Sequence, residues 1–565
     1  MTEYERWLNQ ELDDPDLKKE LEAVREQPEE INDRFYRNLE FGTGGLRGVI
    51  GAGTNRMNVY TVRKATQGLA NYLNKNGKNP SVAIAYDSRI KSDLFAKQAA
   101  AVLAANGITA HIYPWLSPTP TLSWAVRRLK CDAGICVTAS HNPAKYNGYK
   151  VYGSDGCQIT NQMADDVLAE INSLDIFKDV KLIGYEEGVK SGKIVTISDE
   201  VIDAFLAEVM KQRVFTEPCD SLKVVYTPLN GTGRVCVTRI LKEIGVGSVT
   251  VVPEQEFPDG NFTTCPFPNP EIREALQKGL ELSEKLQPDL LVATDPDCDR
   301  CGIAVNQHGK FVLMSGNEVG VLLLDFVAKK RKELGTLPKN PVAVTTVVST
   351  DMTAPVAEEY GIELRRVLTG FKFIGDQIAT LEKEGGADRY VFGFEESYGY
   401  LSGGYVRDKD AVDASMLICQ MAYECKKNGL TLVDAMEALY KKHGYYENAL
   451  MNFGFEGEDG MIRMGAIMDS LRKDAPKEIA GYAVSGWSDY EASVKSEGGK
   501  TETIDLPKSN VLEYRLSGGS KVIVRPSGTE PKIKVYLSGK AETKEASLAV
   551  IEKLRNAVPS ALGIK

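Results

Sequence analysis

Histidine is almost missing from this chain: His111, His141, His308 and His443 are its whole complement. A metal centre built on several imidazoles is thereby excluded, and any metal has to rest on carboxylates. A disulfide framework is missing too, because the ten cysteines are scattered rather than densely spaced. Cys298 and Cys301 stand at redox-motif spacing, but no second pair completes a zinc site, and they read as reduced bystanders. No apolar run is long enough to cross a bilayer; the stretch from Val319 to Val327 is short and is broken by Asp325. Nor is positive charge in excess. The chain has 68 basic and 78 acidic side chains, a net charge of −10, which argues against a general nucleic-acid or anionic-membrane surface and still permits a local basic pocket. The leading segment MTEYERWLNQELDDPDLKKELEAV is polar and acidic with helical apolar spacing, unlike a signal peptide. The expectation is a cytoplasmic enzyme with no nucleic-acid or membrane partner.

With 43% hydrophobic and 26% charged residues the composition is globular, and 565 residues exceed what one core organises. A prior of roughly 150 residues per domain gives about four domains. Short β-branched runs, each followed by a polar turn and a helical pattern, recur in three comparable sets. The first set is SVAIAYDSR, ITAHIY and AGICVTASHNP; the second is LKVVYTPLNGTGR, SVTVVPE and DLLVATDPDCDR; the third is VAVTTVVSTD, IELRRVLTG and RYVFGFEESYG. Each reads as an α/β unit whose third strand runs into an unusual polar loop. Past about residue 440 glycine and short strands increase, which reads as a smaller α+β domain with RPSGTEP as a hairpin loop. The expected division is 1–205 (a helical extension and the first α/β domain), 206–310, 311–440 and 441–565.

Ligands bind at strand ends in open α/β sheets, so loops in equivalent positions can converge on one cleft. Ser140 in Thr138-Ala-Ser-His-Asn-Pro143 sits at such an end, suited to act as a nucleophile or accept a phosphoryl group. No G-x-S-x-G elbow surrounds it, which disfavours a hydrolase triad. Asp295, Asp297 and Asp299 alternate along Asp295-Pro-Asp-Cys-Asp-Arg300. Three carboxylates facing one point repel each other unless a hard divalent cation such as Mg²⁺ neutralises them. Arg300 and Asn306 stand where an EF-hand needs Gly and Glu, so that loop type is excluded. Glu395 and Ser397 share a side of Gly393-Phe-Glu-Glu-Ser-Tyr-Gly399 if it is extended, as recognition of sugar hydroxyls requires. Arg525-Pro-Ser-Gly-Thr-Glu-Pro531 combines a guanidinium, two hydroxyls and a glycine, a phosphate cradle without Walker spacing.

In their order and spacing, TASHNP, DPDCDR, GFEESYG and RPSGTEP resemble the motifs of the α-D-phosphohexomutase superfamily. The surrounding FGTGGLRG and LTGFKFIG resemble its larger phosphoglucomutase branch, which includes phosphopentomutase-like members. The resemblance implies three similar α/β domains with mixed sheets and a C-terminal α+β domain around a central cleft. It implies Ser140 as a phosphoserine, Asp295, Asp297 and Asp299 as Mg²⁺ ligands together with the serine phosphate, and Glu395 and Ser397 as sugar readers. Arg525, Ser527, Gly528 and Thr529 would grip the non-reacting phosphate. Arg47, His141 and Lys150 would surround the reacting group, with Lys150 or Arg47 as proton shuttle, and Arg300 and Lys372 would contact phosphate. The activity implied is interconversion of glucose 1-phosphate and glucose 6-phosphate through glucose 1,6-bisphosphate. Alternatives are a pentose- or mannose-phosphate mutase, a phosphatase using Ser140, and a non-catalytic sugar-phosphate sensor. Phe394 and Tyr398 depart from the commonest loop pattern and leave the sugar open. Nothing in the sequence assigns an oligomeric state.

Overall fold

A computed structural model of the chain describes residues 1–42, 44–159, 161–455, 460–527 and 532–564. Three of its four sheets repeat one order. In the first, Thr109–Ile112, Ser81–Tyr86 and Ala133–Val137 run parallel in that order, and Tyr146–Gly153 returns antiparallel beside the last. The second repeats this with Ser248–Val251, Lys223–Thr227, Leu290–Thr294 and the return strand Cys301–Gln307. The third repeats it with Glu363–Val367, Val342–Thr346, Tyr390–Glu395 and Gly399–Leu401. The three sequence sets thus map strand for strand onto three sheets. The central parallel strands Ala133–Val137, Leu290–Thr294 and Val342–Thr346 are buried along their whole length, which is why they read as mostly apolar runs without a charged residue. In each sheet the polar loop reverses the chain between the third strand and its return strand.

The expected boundary after residue 310 falls inside the second sheet, because Lys310–Met314 pairs antiparallel with Cys301–Gln307. His308 and Gly309, with φ of 55° and 88°, close that hairpin in the way a two-residue turn with positive φ does, so the chain turns back within the sheet there instead of leaving it. The boundary expected after residue 205 likewise cuts the helix Asp199–Lys211. The last sheet is antiparallel in the order Tyr445–Gly454, Lys532–Ala541, Lys521–Pro526, Leu512–Leu516, Tyr482–Asp489, Val494–Glu497 and Lys500–Thr503. RPSGTEP joins its second and third strands, with Arg525 opposite Lys534. The apolar stretch from Val319 lies in the core helix Gly316–Glu333. Among the described residues no helix is long and apolar enough to cross a membrane.

The third unit carries a group of buried acids beside its helix Ala411–Lys427. Asp413 accepts from the Ser402 amide (2.8 Å) and hydroxyl (2.7 Å), and Asp410 caps the helix by accepting from Val412 and Asp413 amides. Burial, with Asp410 adding repulsion, pushes Asp413 up to about 7. A folded-state pKa above the unfolded value means that the native state holds the proton longer, so stability falls as pH rises from about 4 to 7. Going from pH 8 to pH 6 should therefore stabilise the protein by roughly 1.4 kcal/mol through Asp413. Asp413→Asn should remove that increment in denaturant titrations at the two pH values; an unchanged difference would show that Asp413 is already ionised in the fold.

Candidate active site

Ser140 lies just beyond the strand Ala133–Val137, buried, with a left-handed φ of 53°. This conformation is uncommon for a residue with a Cβ and is held by its neighbours. The Ser140 amide donates to Thr138 Oγ1 (2.8 Å), its hydroxyl donates to Asp295 Oδ2 (3.0 Å), and its Oγ is 3.2 Å from His141 Nδ1. A hydroxyl has one proton, so with that proton given to Asp295 the His141 contact needs the Nδ1–H tautomer. Burial, with Arg300 and Arg47 nearby, lowers the His141 pKa well below the usual value and keeps the imidazole neutral.

Behind the serine loop is a residue the sequence reading missed. Arg89, in the turn after Ser81–Tyr86, is fully buried; it donates to the carbonyls of Pro143 and Tyr146 (both 3.0 Å) and also to those of Ser140 and Asn142. Its Nε is 3.2 Å from Asp87, and its guanidinium lies 5.0 Å from the centre of the Phe262 ring. One fixed fork thus grips four peptide groups of the loop, a geometry that suits Arg and not Lys.

The second loop brings Asp295, Asp297 and Asp299 together, with ligand oxygens all within 4.8 Å of one another. All three are buried. Asp295 Oδ1 accepts the Asp299 and Arg300 amides at 3.1 and 3.0 Å. Asp297 Oδ2 accepts from Thr119 Oγ1 (3.0 Å) and Lys150 Nζ (3.1 Å), while Asp297 Oδ1 and Asp299 Oδ1 have no hydrogen-bond donor. Burial and mutual repulsion push Asp295 well up, whereas the Lys150 ammonium helps to hold Asp297 down. Buried carboxylate oxygens without donors are costly, and an all-oxygen donor set of this kind fits Mg²⁺.

Two ammonium groups face the triad. Lys150 comes from the return strand of the first sheet, and Lys409 lies 3.1 Å from Asp299 and 3.0 Å from Asp408. Burial opposes both charges, but the carboxylates win and hold both pKa values above the ordinary lysine value. Lys409 was also missed. It belongs to Arg407-Asp-Lys-Asp410, a mixed-charge stretch of the kind that usually faces solvent, and only the fold carries it to the triad. Arg47 lies on Gly45–Val49, which pairs with the same return strand so that Arg47 opposes Gly148 and Gly45 opposes Lys150. Directly opposed residues share a face, as do residues two apart, so Arg47 and Lys150 project to the same side. Gly148 is required there, since a Cβ would stand 2.4 Å from the Thr138 carbonyl. Arg47 is exposed to solvent, yet the protein around it, with Arg300 and Arg89 nearby, lowers its pKa.

In the third loop Glu395 ends its strand and accepts the Gly370 amide at 2.7 Å. Burial raises its pKa, with Lys409 and Arg300 opposing. Glu396 turns the other way, to Thr346 Oγ1 at 3.2 Å, and is pushed up to about 7 by burial and Glu395. Ser397 beside it is half-buried. Arg300 is held by Glu271 at 2.9 Å, a carboxylate the sequence reading did not single out. Lys372 Nζ lies 5.1 Å from the centre of the Phe373 ring, and burial lowers its pKa. In the fourth loop Arg525 ends up beside Tyr536, and the Ser527 amide donates to the Lys532 carbonyl at 2.7 Å. Glu396 acts electrostatically on Lys534 and Tyr536, so the third loop stands near the strand Lys532–Ala541. Gly528 and Thr529 lie outside the described residues.

The chain matches four consecutive domain descriptions of one family: phosphoglucomutase/phosphomannomutase alpha/beta/alpha domain I over residues 38–176, domain II over 202–309, domain III over 315–443 and the C-terminal domain over 470–553. It belongs to the phosphoglucomutase/phosphomannomutase family, an enzyme family. Within that family it is 38% identical to a phosphoglucomutase of Staphylococcus aureus over 518 residues, 90% of this chain and 91% of the relative. The same fold is seen in a phosphoglucomutase/phosphomannomutase family protein from Burkholderia thailandensis (19% identity, TM-score 0.66, 92% and 97% of the two chains). It is seen again in the Paramecium phosphoglucomutase parafusin (18% identity, TM-score 0.67, 94% and 95% covered).

Proposed function

We propose that the protein interconverts α-D-glucose 1-phosphate and glucose 6-phosphate, with Ser140 as the phosphoryl carrier and glucose 1,6-bisphosphate as the bound intermediate. The observation that carries this reading is the Ser140 hydroxyl 3.0 Å from Asp295, at the edge of a buried carboxylate triad with unfilled oxygens. The relatives' names favour glucose over pentose or mannose phosphates. Asp295, Asp297, Asp299 and the Ser140 phosphate would hold Mg²⁺, which supplies charge neutralisation for phosphoryl transfer.

The chain's own groups do the rest. Phosphoserine 140 gives its phosphoryl group to the free sugar hydroxyl; the bond to Ser140 Oγ breaks as the new P–O bond forms. The hydroxyl proton has to end on Ser140 Oγ, the leaving oxygen, and Lys150 or Arg47, charged and on one face of their strand pair, would relay it by giving a proton to Ser140 Oγ and receiving that of the sugar hydroxyl. Lys409, Lys150 and Arg47 face the charge of the transferring group, so most of the catalysis is positioning and electrostatics. The bisphosphate then turns, its other phosphoryl group returns to Ser140, and the product leaves. Glu395 and Ser397 orient the sugar in both directions, while Arg525, Ser527 and the adjoining Gly528 and Thr529 hold the phosphate that is not reacting. Arg300 and Lys372 add phosphate contacts, and neutral His141 orients the Ser140 Oγ. The proposed compartment is the cytoplasm.

The test compares turnover of glucose 1-phosphate, mannose 1-phosphate and ribose 1-phosphate, with and without Mg²⁺ and glucose 1,6-bisphosphate. Glucose 1-phosphate should be isomerised fastest, with activity lost on chelation and restored by Mg²⁺. Failure to isomerise glucose 1-phosphate under every condition would overturn the proposal.

A further inference from the structure

Residues 1–37 precede the first matched family domain, and nothing in the reaction above uses them. They form the helices Glu3–Leu8, Pro15–Ala23 and Pro28–Phe35. Fully buried Trp7 anchors them, meeting Phe35, Tyr60 and Phe177 edge-on. Two of these helices close on one residue of the first α/β domain, Ala52. Glu20 Oε2 accepts the Ala52 amide at 2.9 Å, Arg34 Nη1 donates to the Ala52 carbonyl at 3.1 Å, and Glu20 and Arg34 pair with each other at 2.9 Å. The approach is close enough to dictate sequence. A Cβ at Gly51 would stand 2.7 Å from Glu20 Oε2, and one at Gly53 would stand 2.6 Å from the Arg34 carbonyl. The Arg34 carbonyl also accepts the Asn55 amide at 2.9 Å.

The loop so clamped directly follows Gly45–Val49, the strand that carries Arg47. The Met57 amide donates to the Val49 carbonyl (2.8 Å), and the Ile50 amide donates to the Lys145 carbonyl (2.8 Å) in the tail of the serine loop. A second grip lies on the other side, where Lys91 Nζ meets Asp14 at 2.6 Å, two residues past Arg89. The helical extension thus grips the loop that continues the Arg47 strand and, through Lys91, the turn whose Arg89 holds the serine loop.

We infer that residues 1–37 are a positioning element for the reaction and that the Glu20–Arg34 pair sets the placement of Arg47 against Ser140. Glu20 and Arg34 are positioning residues: they touch no reacting atom and act through the backbone of residues 50–57. A displacement of about 1 Å at a reacting group is enough to cost about 10²-fold in rate, so partial loosening of the clamp should be visible in turnover. The inference rests on the mutase reading of the cleft.

A double-mutant cycle in the full-length protein tests it, with glucose 1-phosphate as substrate and Mg²⁺ present, well below the melting temperature of every variant. Glu20→Ala should lower kcat about tenfold with KM within about twofold. Glu20→Gln, which keeps an acceptor for the Ala52 amide, should recover most of that loss. In an Arg47→Ala background, Glu20→Ala should lower kcat no further, because the group it positions is gone. Wild-type kcat in Glu20→Ala, or the same loss in both backgrounds, would overturn the inference and leave a purely structural role. If Glu20→Ala does not fold, the cycle is run with Arg34→Lys, where the same two outcomes decide. A wild-type protein without turnover of glucose 1-phosphate would instead defeat the mutase reading itself.

Discussion

Ser140→Ala should abolish isomerisation of glucose 1-phosphate, lowering kcat by at least about four orders of magnitude, as loss of a covalent carrier does. The hydroxyl oxygen is the atom that is phosphorylated, and among the described residues no other hydroxyl makes a hydrogen bond to the carboxylate triad except Thr119, whose bond is to Asp297. The backbone need not move: the Ser140 amide keeps its bond to Thr138 Oγ1, and alanine tolerates φ of 53° no worse than serine does. A melting temperature within a few degrees of wild type is therefore expected, and substrate binding should persist. The same variant separates the competing readings. A sensor would bind sugar phosphate unchanged and show no wild-type turnover to lose. A phosphatase would release inorganic phosphate from glucose 1-phosphate in the wild-type protein, and a steady release matching substrate loss would defeat the mutase reading.

Legibility in the sequence followed chain contiguity. Ser140, the three aspartates, Glu395 with Ser397 and the Arg525 loop each lie in a short segment whose composition is unusual where it stands, at the end of an apolar strand. The parallel strands were legible for a related reason, since strands buried on both faces become mostly apolar runs. The return strands were not. Tyr146–Gly153 reads YNGYKVYG and Gly399–Leu401 has three residues, so neither shows a clear period, and both are specified by pairing with the third strand of their sheets. Residues that serve the site from a distance were also hidden. Arg89, Lys409 and Glu271 are ordinary charged residues in turns and mixed-charge stretches, and their meaning arises from partners 51, 110 and 29 residues away in the cases of Ser140, Asp299 and Arg300. That Arg47 and Lys150 share a face depends on register, which the sequence of either strand alone does not set.

Arg89 is the most demanding of the hidden residues. A guanidinium removed from water costs several kcal/mol even after relaxation, and here Asp87 and four loop carbonyls offset that cost. Arg89→Met removes the cation and leaves the Asp87 carboxylate and the carbonyls of Ser140, Asn142, Pro143 and Tyr146 short of donors in a buried site. Breaking one partner out of a buried pair costs about 3–5 kcal/mol, so the variant should melt several degrees lower and be more sensitive to denaturant. Asp87→Asn combined with Arg89→Met should be less destabilised than Arg89→Met alone, because the pair is then removed together. Arg89→Lys separates charge from geometry. It keeps the cation near Asp87, but one ammonium cannot span four carbonyls that a planar fork reaches. The serine loop should therefore lose its fixed left-handed turn at Ser140, and kcat should fall about 10²-fold while KM changes little. Phosphorus NMR of the phosphoenzyme, formed with glucose 1,6-bisphosphate, should show a broadened or shifted phosphoserine signal in Arg89→Lys, reporting the loosened loop directly. Wild-type turnover together with an unchanged phosphoserine signal in Arg89→Lys would show that the charge alone suffices and that the four-carbonyl grip does not orient the nucleophile.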